Sequence, residues 1–144
     1  MDDHVRDVVR EMTRASEDER ISFPDVVEAL MQAGVERYHA DLLPGTKTYY
    51  MPDGSFEITH CQALHAAMDF RGDIVQQAVH AIQQGEIGYR AFCERIAAAG
   101  CVGYFVSLAG KRAVYYGRTL AAHVEWFTGP LPTPPGPPPS RRAS

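Results

Sequence analysis

A histidine beside a carboxylate is the smallest unit that moves protons near neutral pH, and His39-Ala40-Asp41 sets one either side of a single residue. Strand periodicity would send both side chains, with Arg37, to the same face. Further along, Glu57 and the pair His123 and Glu125 repeat the combination. If the strands carrying them share one sheet, His39, Asp41, Glu57, His123 and Glu125 could converge as a general base with orienting carboxylates. That is the constellation of a hydrolase or a lyase. Two histidines with two carboxylates could also ligate a divalent metal, but no spacing here specifies one, and no metal or cofactor is expected. The plainer alternative is a solvated polar face, which alternation in an antiparallel sheet produces unaided.

Other reactive groups carry less. His60, Cys61 and His65 supply nitrogen and sulfur within six residues, yet neither CxxC nor HxxxH spacing is present, and a capped loop is the simpler reading. Cys93 aligns with Val27 and Cys101 with Val35 in the repeat described below, so both read as core thiols. The pairs Tyr49-Tyr50 and Tyr115-Tyr116, with Phe105, Trp126 and Phe127, could stack on a planar ligand, although aromatics at strand spacing are first of all core. Arg37, Phe105 and Phe127 are the candidate ligand contacts. Gly110-Lys111 lacks GxxxxGK spacing, and Gly100-Cys-Val-Gly103 follows a helix, which excludes P-loop and dinucleotide readings.

These residues need elements to position them. Val5, Val8, Val9 and Met12 recur with helical period, predicting a helix over roughly 4–16. Ser22, with Pro24 in the first turn and Asp25 at capping-box distance, opens a second helix that ends before Gly34. Period-two alternation over 35–42, then KTYYM after Pro44-Gly45, then 55–59 after Pro52-Asp53-Gly54, reads as an antiparallel meander. Asp73 and Gln76 open a third helix closed by Gly85, and a fourth runs from about Tyr89 to Ala99 and ends at Gly100. Three more strands follow over 101–108, 112–117 and 123–127, with a tight turn at Gly110-Lys111.

Residues 21–50 lie over residues 87–116 without a gap at an offset of 66, with eight identities that include Tyr38/Tyr104, Tyr49/Tyr115 and Tyr50/Tyr116. Lengthening the offset to 68 brings Glu57 over Glu125 and aligns the third strands. Helix-glycine-strand units share some of this spacing on generic grounds, but we read it as an internal duplication over 21–59 and 87–127. The fold class is therefore α+β, two helix-strand-strand-strand repeats forming an antiparallel sheet packed against about four helices. A pseudo-twofold groove between the repeats is the expected place for a ligand. Tyr38 and Tyr104 should be buried on the helix-covered face, each hydroxyl with a hydrogen-bond partner.

The chain has 144 residues, 45% hydrophobic and 22% charged, in the range of one ordinary globular domain. We expect that domain over 1–128 and a disordered proline-rich tail over 129–144, where a PxxP-type ligand is a minor alternative. The net charge is −4, and because Arg141 and Arg142 lie in the tail the remainder is more acidic still. An acidic domain is a poor partner for nucleic acid or an anionic membrane. Only a continuous surface of Arg37, Lys47, Lys111, Arg112 and Arg118 would revive nucleic-acid binding. Three unpaired-looking cysteines and an N-terminus without a basic-then-apolar run point to a reduced, cytoplasmic setting.

The strings GVERYHADLLPGTKTYYMPDG and GCVGYFVSLAGKRAVYYGR, with HVEWF closing the fold, resemble a family of small bacterial proteins known as YdfO-like or YbcV-like. Such proteins are common in prophage regions and sometimes labelled phage envelope protein. The likeness covers about residues 14–127 and departs around Cys61 to Met68 and in the tail. It implies an α+β fold of unknown function and no catalytic residues, and an acidic chain without an apolar span does not support an envelope role. The reading that results is a non-catalytic module for a small molecule or a protein, folding alone or as a small oligomer such as a homodimer. The alternative is a hydrolase or lyase built on the histidine and carboxylate cluster.

Overall fold

In the computed structural model the described residues, 1–127, form an α+β fold in which four helices pack on one face of a six-stranded antiparallel sheet. The proline-rich tail lies outside the described residues. Helices α1 (Asp3–Glu17) and α2 (Phe23–Gln32) precede strands β1 (Arg37–Asp41), β2 (Thr46–Tyr50) and β3 (Phe56–His60). Then α3 (Gly72–Gln83) and α4 (Tyr89–Ala98) precede β4 (Gly103–Ser107), β5 (Arg112–Tyr116) and β6 (Ala122–Trp126). Both helix pairs start where amphipathic spacing places an apolar stripe: Val5, Val9, Val27, Leu30, Val75, Val79 and Ile96 are all buried in the core.

The sheet order is β3-β2-β1-β4-β5-β6, so two meanders meet at β1 and β4. Each repeat is larger than expected, because α1 and α3 correspond as well and both end at an offset of 66. The offset of 66 also holds for the third strands: Tyr49 pairs with Glu57 and its counterpart Tyr115 pairs with His123. The alignment of Glu57 with Glu125 at 68 is a likeness of residue type that the ladder does not follow. At the centre β1 and β4 pair about His39 and Phe105, which are themselves equivalent positions, so the pseudo-twofold axis passes between them.

Glycines end α2 and α4 in the left-handed region, Gly34 at φ 85° and Gly100 at φ 87°. The expected capping box at Ser22 is not formed by its side chain; the helix starts on the backbone bond from Val26 N–H to the Ser22 carbonyl. The segment between the repeats is stitched to both. Leu64 N–H donates to Leu42 in the first, and Ala67 and Arg71 donate to Ala97 and Ala99 in the second.

Tyr38 and Tyr104, each 4% exposed, lie on the helix-covered face as their strand phase requires. Tyr104 Oη meets Tyr89 Oη at 3.2 Å. The partner expected for the Tyr38 hydroxyl is not found among the described residues. Tyr49 Oη is held 2.9 Å from Thr13 Oγ1, which also reaches Thr59 Oγ1 at 2.7 Å, a buried hydroxyl chain tying α1 to β2 and β3.

Candidate functional site

The two faces of the sheet separate the residues that could have formed one catalytic cluster. His39 and Asp41 project from β1 to the open face, whereas Glu57, His123 and Glu125 share the helix-covered face with Tyr49 and Tyr115. A single site joining them is therefore not formed. The reason is strand phase: β3 and β6 pair so that their polar residues extend the tyrosine rows, not the His39 row.

Each half has a local role. Glu57 receives Arg10 at 2.7 Å and Arg6 at 3.5 Å, fastening α1 over the edge strand β3. At the equivalent edge His123 Nε2 lies 2.9 Å from Glu125 Oε1, and His80 of α3 stands 4.0 Å from the other carboxylate oxygen. On the open face His39 stacks on Phe105 with centroids 4.3 Å apart, and its Nε2 is 2.6 Å from Tyr116 Oη. Burial pushes the His39 imidazole below its ordinary 6.5, against an opposing pull from Asp41. The open face is less polar than expected, since Phe56, Ile58, Phe105, Val124 and Trp126 are all exposed on it. Arg37 lies over the Tyr50 ring there and pairs with Glu36.

The arrangement with most chemical content lies between the layers. A cleft of about 530 Å³ opens between the sheet and helices α2, α3 and α4. Equivalent residues of the two repeats line it in pairs: Ile21/Ile87, Phe23/Tyr89, Tyr38/Tyr104, Tyr49/Tyr115 and Lys47/Ala113. Phe23 meets Phe127 edge-on at 5.3 Å, and both line the cleft. Of the candidate ligand contacts, Phe127 thus belongs to this cleft, while Arg37 and Phe105 lie on the other side of the sheet.

Lys47 is the unexpected member. It is 3% exposed, and its ammonium sits 4.5 Å from the centre of the Tyr89 ring. Among the described residues it makes no ion pair and no side-chain hydrogen bond. Burial lowers its pKa from 10.5, with Cys93, Cys61 and Glu17 opposing the shift through their charges. Burial likewise raises Tyr38, Tyr89 and Tyr104 well above 10, so these hydroxyls stay protonated donors at neutral pH. Because Lys47 faces the core, the basic residues Arg37, Lys111, Arg112 and Arg118 do not join with it into a continuous surface.

A second hollow of about 390 Å³ lies between α1 and β3, floored by Thr13 and Thr59. Their hydroxyls bond one another and it holds no unpartnered buried charge. Cys93 and Cys101 are not poised for chemistry: burial pushes Cys93 up to about 12 and Cys101 up to about 11. Among the described residues no group of three histidine, cysteine or carboxylate side chains could hold a metal ion, and no helix is long and apolar enough to cross a membrane.

Residues 59–122 match a family described as protein of unknown function, DUF1398. The matched stretch is less than half of the 144 residues. It runs from the end of β3 through the connecting segment and most of the second repeat, so Ala113 falls inside it and Lys47 outside. No curated protein matches the chain.

Proposed function

We propose that this protein is a non-catalytic binding module whose small-molecule ligand occupies the cleft between its two repeats. The observation that carries this reading is the cleft itself: about 530 Å³, walled by paired aromatic residues. Its volume falls in the range of about 300–1,000 Å³ typical of ligand pockets. Duplicated halves account for its place, since two units that bury their apolar faces together leave their junction open where side chains from each fail to meet. Neither the loss of a convergent histidine and carboxylate cluster nor the raised cysteine pKa values favours covalent chemistry.

The neutral fluorophore N-phenyl-1-naphthylamine tests the reading. Saturable fluorescence enhancement is expected with the native chain, and Ala113→Phe should abolish it by filling the cleft from the β5 side. Retention of the signal in a folded Ala113→Phe variant would place the dye on the exposed apolar sheet face and overturn the assignment.

A further inference from the structure

Building on that reading, we propose that the cleft takes a carboxylate joined to an apolar body, and that Lys47 is the residue that anchors the carboxylate.

The duplication supplies an internal control. Lys47 and Ala113 occupy equivalent positions in equivalent strands, and both line the cleft. The fold is therefore satisfied at this position by a methyl group, and a buried lysine is not a structural demand. Burying an ammonium without a partner is unfavourable, so an anion supplied from outside is the missing element. Lys47 is one of only two lysines in the chain, which otherwise uses arginine as its cation, and the other, Lys111, is exposed.

The surroundings narrow the anion. Lys47 contacts Tyr89, whose counterpart in the first repeat is Phe23, so the lysine and an extra hydroxyl depart from the symmetry together. Tyr89 Oη is paired with Tyr104 Oη at 3.2 Å, leaving one proton of that pair free to be donated. One ammonium and neutral hydroxyl donors match a single negative charge. A phosphate would call for further cations or a backbone amide nest, and among the described residues no arginine lines the cleft. Glu19 and Glu125, also in the lining, oppose any anion and a doubly charged one most, so Lys47 has to offset them and a single charge is favoured. The remaining walls, Phe92, Val106 and Tyr115 among them, suit an apolar body.

Matched probes test this by isothermal titration: 3-phenylpropionate against 3-phenylpropan-1-ol, and decanoate against decan-1-ol. Each carboxylate should bind the native chain about 10- to 100-fold tighter than its alcohol, as expected for a buried charge-assisted contact. Lys47→Met should remove that preference and leave the alcohols unchanged. In a chain carrying ¹³C,¹⁵N-lysine, the Lys47 side-chain signal should shift on adding 3-phenylpropionate while that of Lys111 stays still, a readout that needs no variant. Equal affinity for acid and alcohol, or a preference that survives Lys47→Met, would overturn the anchor while the cleft reading stands. Failure of all four probes and of the neutral fluorophore would remove the cleft reading, and the anchor with it.

Discussion

Replacing Lys47 by methionine should make the free protein more stable. The two side chains are similar in length, so little cavity is created, while the buried ammonium is removed from a site 3% exposed with no carboxylate partner among the described residues. An unsatisfied buried polar group costs roughly 1–3 kcal/mol, more when charged. The contact with the Tyr89 ring, 4.5 Å from Nζ, returns about 0.5–2 kcal/mol of this. A net gain of about 1–2 kcal/mol is expected, which for a domain near this size raises Tm by about 2–4 °C per kcal/mol. Urea denaturation of both proteins at several pH values is the assay. Because burial lowers the lysine pKa, the unfolded chain binds more protons than the folded one between the folded value and 10.5. Native stability should therefore rise with pH across that window, and the advantage of the variant should shrink. Above 10 the buried tyrosines act in the opposite sense and equally in both proteins, because their raised pKa values make the unfolded chain the easier to ionise. Destabilisation of the variant by more than about 1 kcal/mol would refute the reasoning, since the lysine would then be holding the fold together.

Four further outcomes follow from other parts of the molecule. Gly34→Ala should cost about 1–2 kcal/mol for its left-handed backbone alone, with only Met51 Cε 3.5 Å from the new methyl; Gly100→Ala should cost clearly more in the same urea titration, because its methyl lands on the Asp69 carbonyl. Thr13→Val strips the shared partner from Tyr49 and Thr59 and should cost about 1–3 kcal/mol by chemical denaturation. Iodoacetamide at pH 8 should modify Cys61 first in the native chain, Cys93 and Cys101 reacting only in denaturant, as their burial and raised pKa values require. The His39 ring should titrate below 6.5 by NMR, and because its folded pKa is lowered, its contribution to stability should be lost as pH falls through that window.

Much of the architecture was legible because it rests on short-range signals. Helical stripes such as Val5, Val9 and Met12, glycine stops at Gly34 and Gly100, and alternation through Tyr38, Ala40 and Leu42 each depend on a few adjacent residues. Duplication reinforced them, since every element from α2 to β3 recurs 66 residues later as α4 to β6. One short-range signal failed, the Ser22 capping box, whose residues are present but whose side chain makes no cap bond. Features set by long-range register were less accessible: the third strands keep the offset of 66 although residue likeness favours 68.

The site was missed for the same physical reason that the cluster was wrongly assembled. Alternation assigns residues of one strand to two faces, but it cannot relate the phase of one strand to that of the next without the register. Polar character was used in its place, which grouped Glu57, His123 and Glu125 with His39. Polar character also sent Lys47 to the surface, although Lys47 is in phase with Tyr49 and Thr59 is paired directly across from it. The repeat held the missing phase. Once Tyr49 and Tyr115 are taken as equivalent core residues, Lys47 and Ala113 must face the core beside them, and only one of these two is at home there. A duplicated fold thus marks its own exception: where one copy keeps an alanine, a buried lysine in the other needs a cause outside the fold, and an anionic ligand is a cause of the right charge and place.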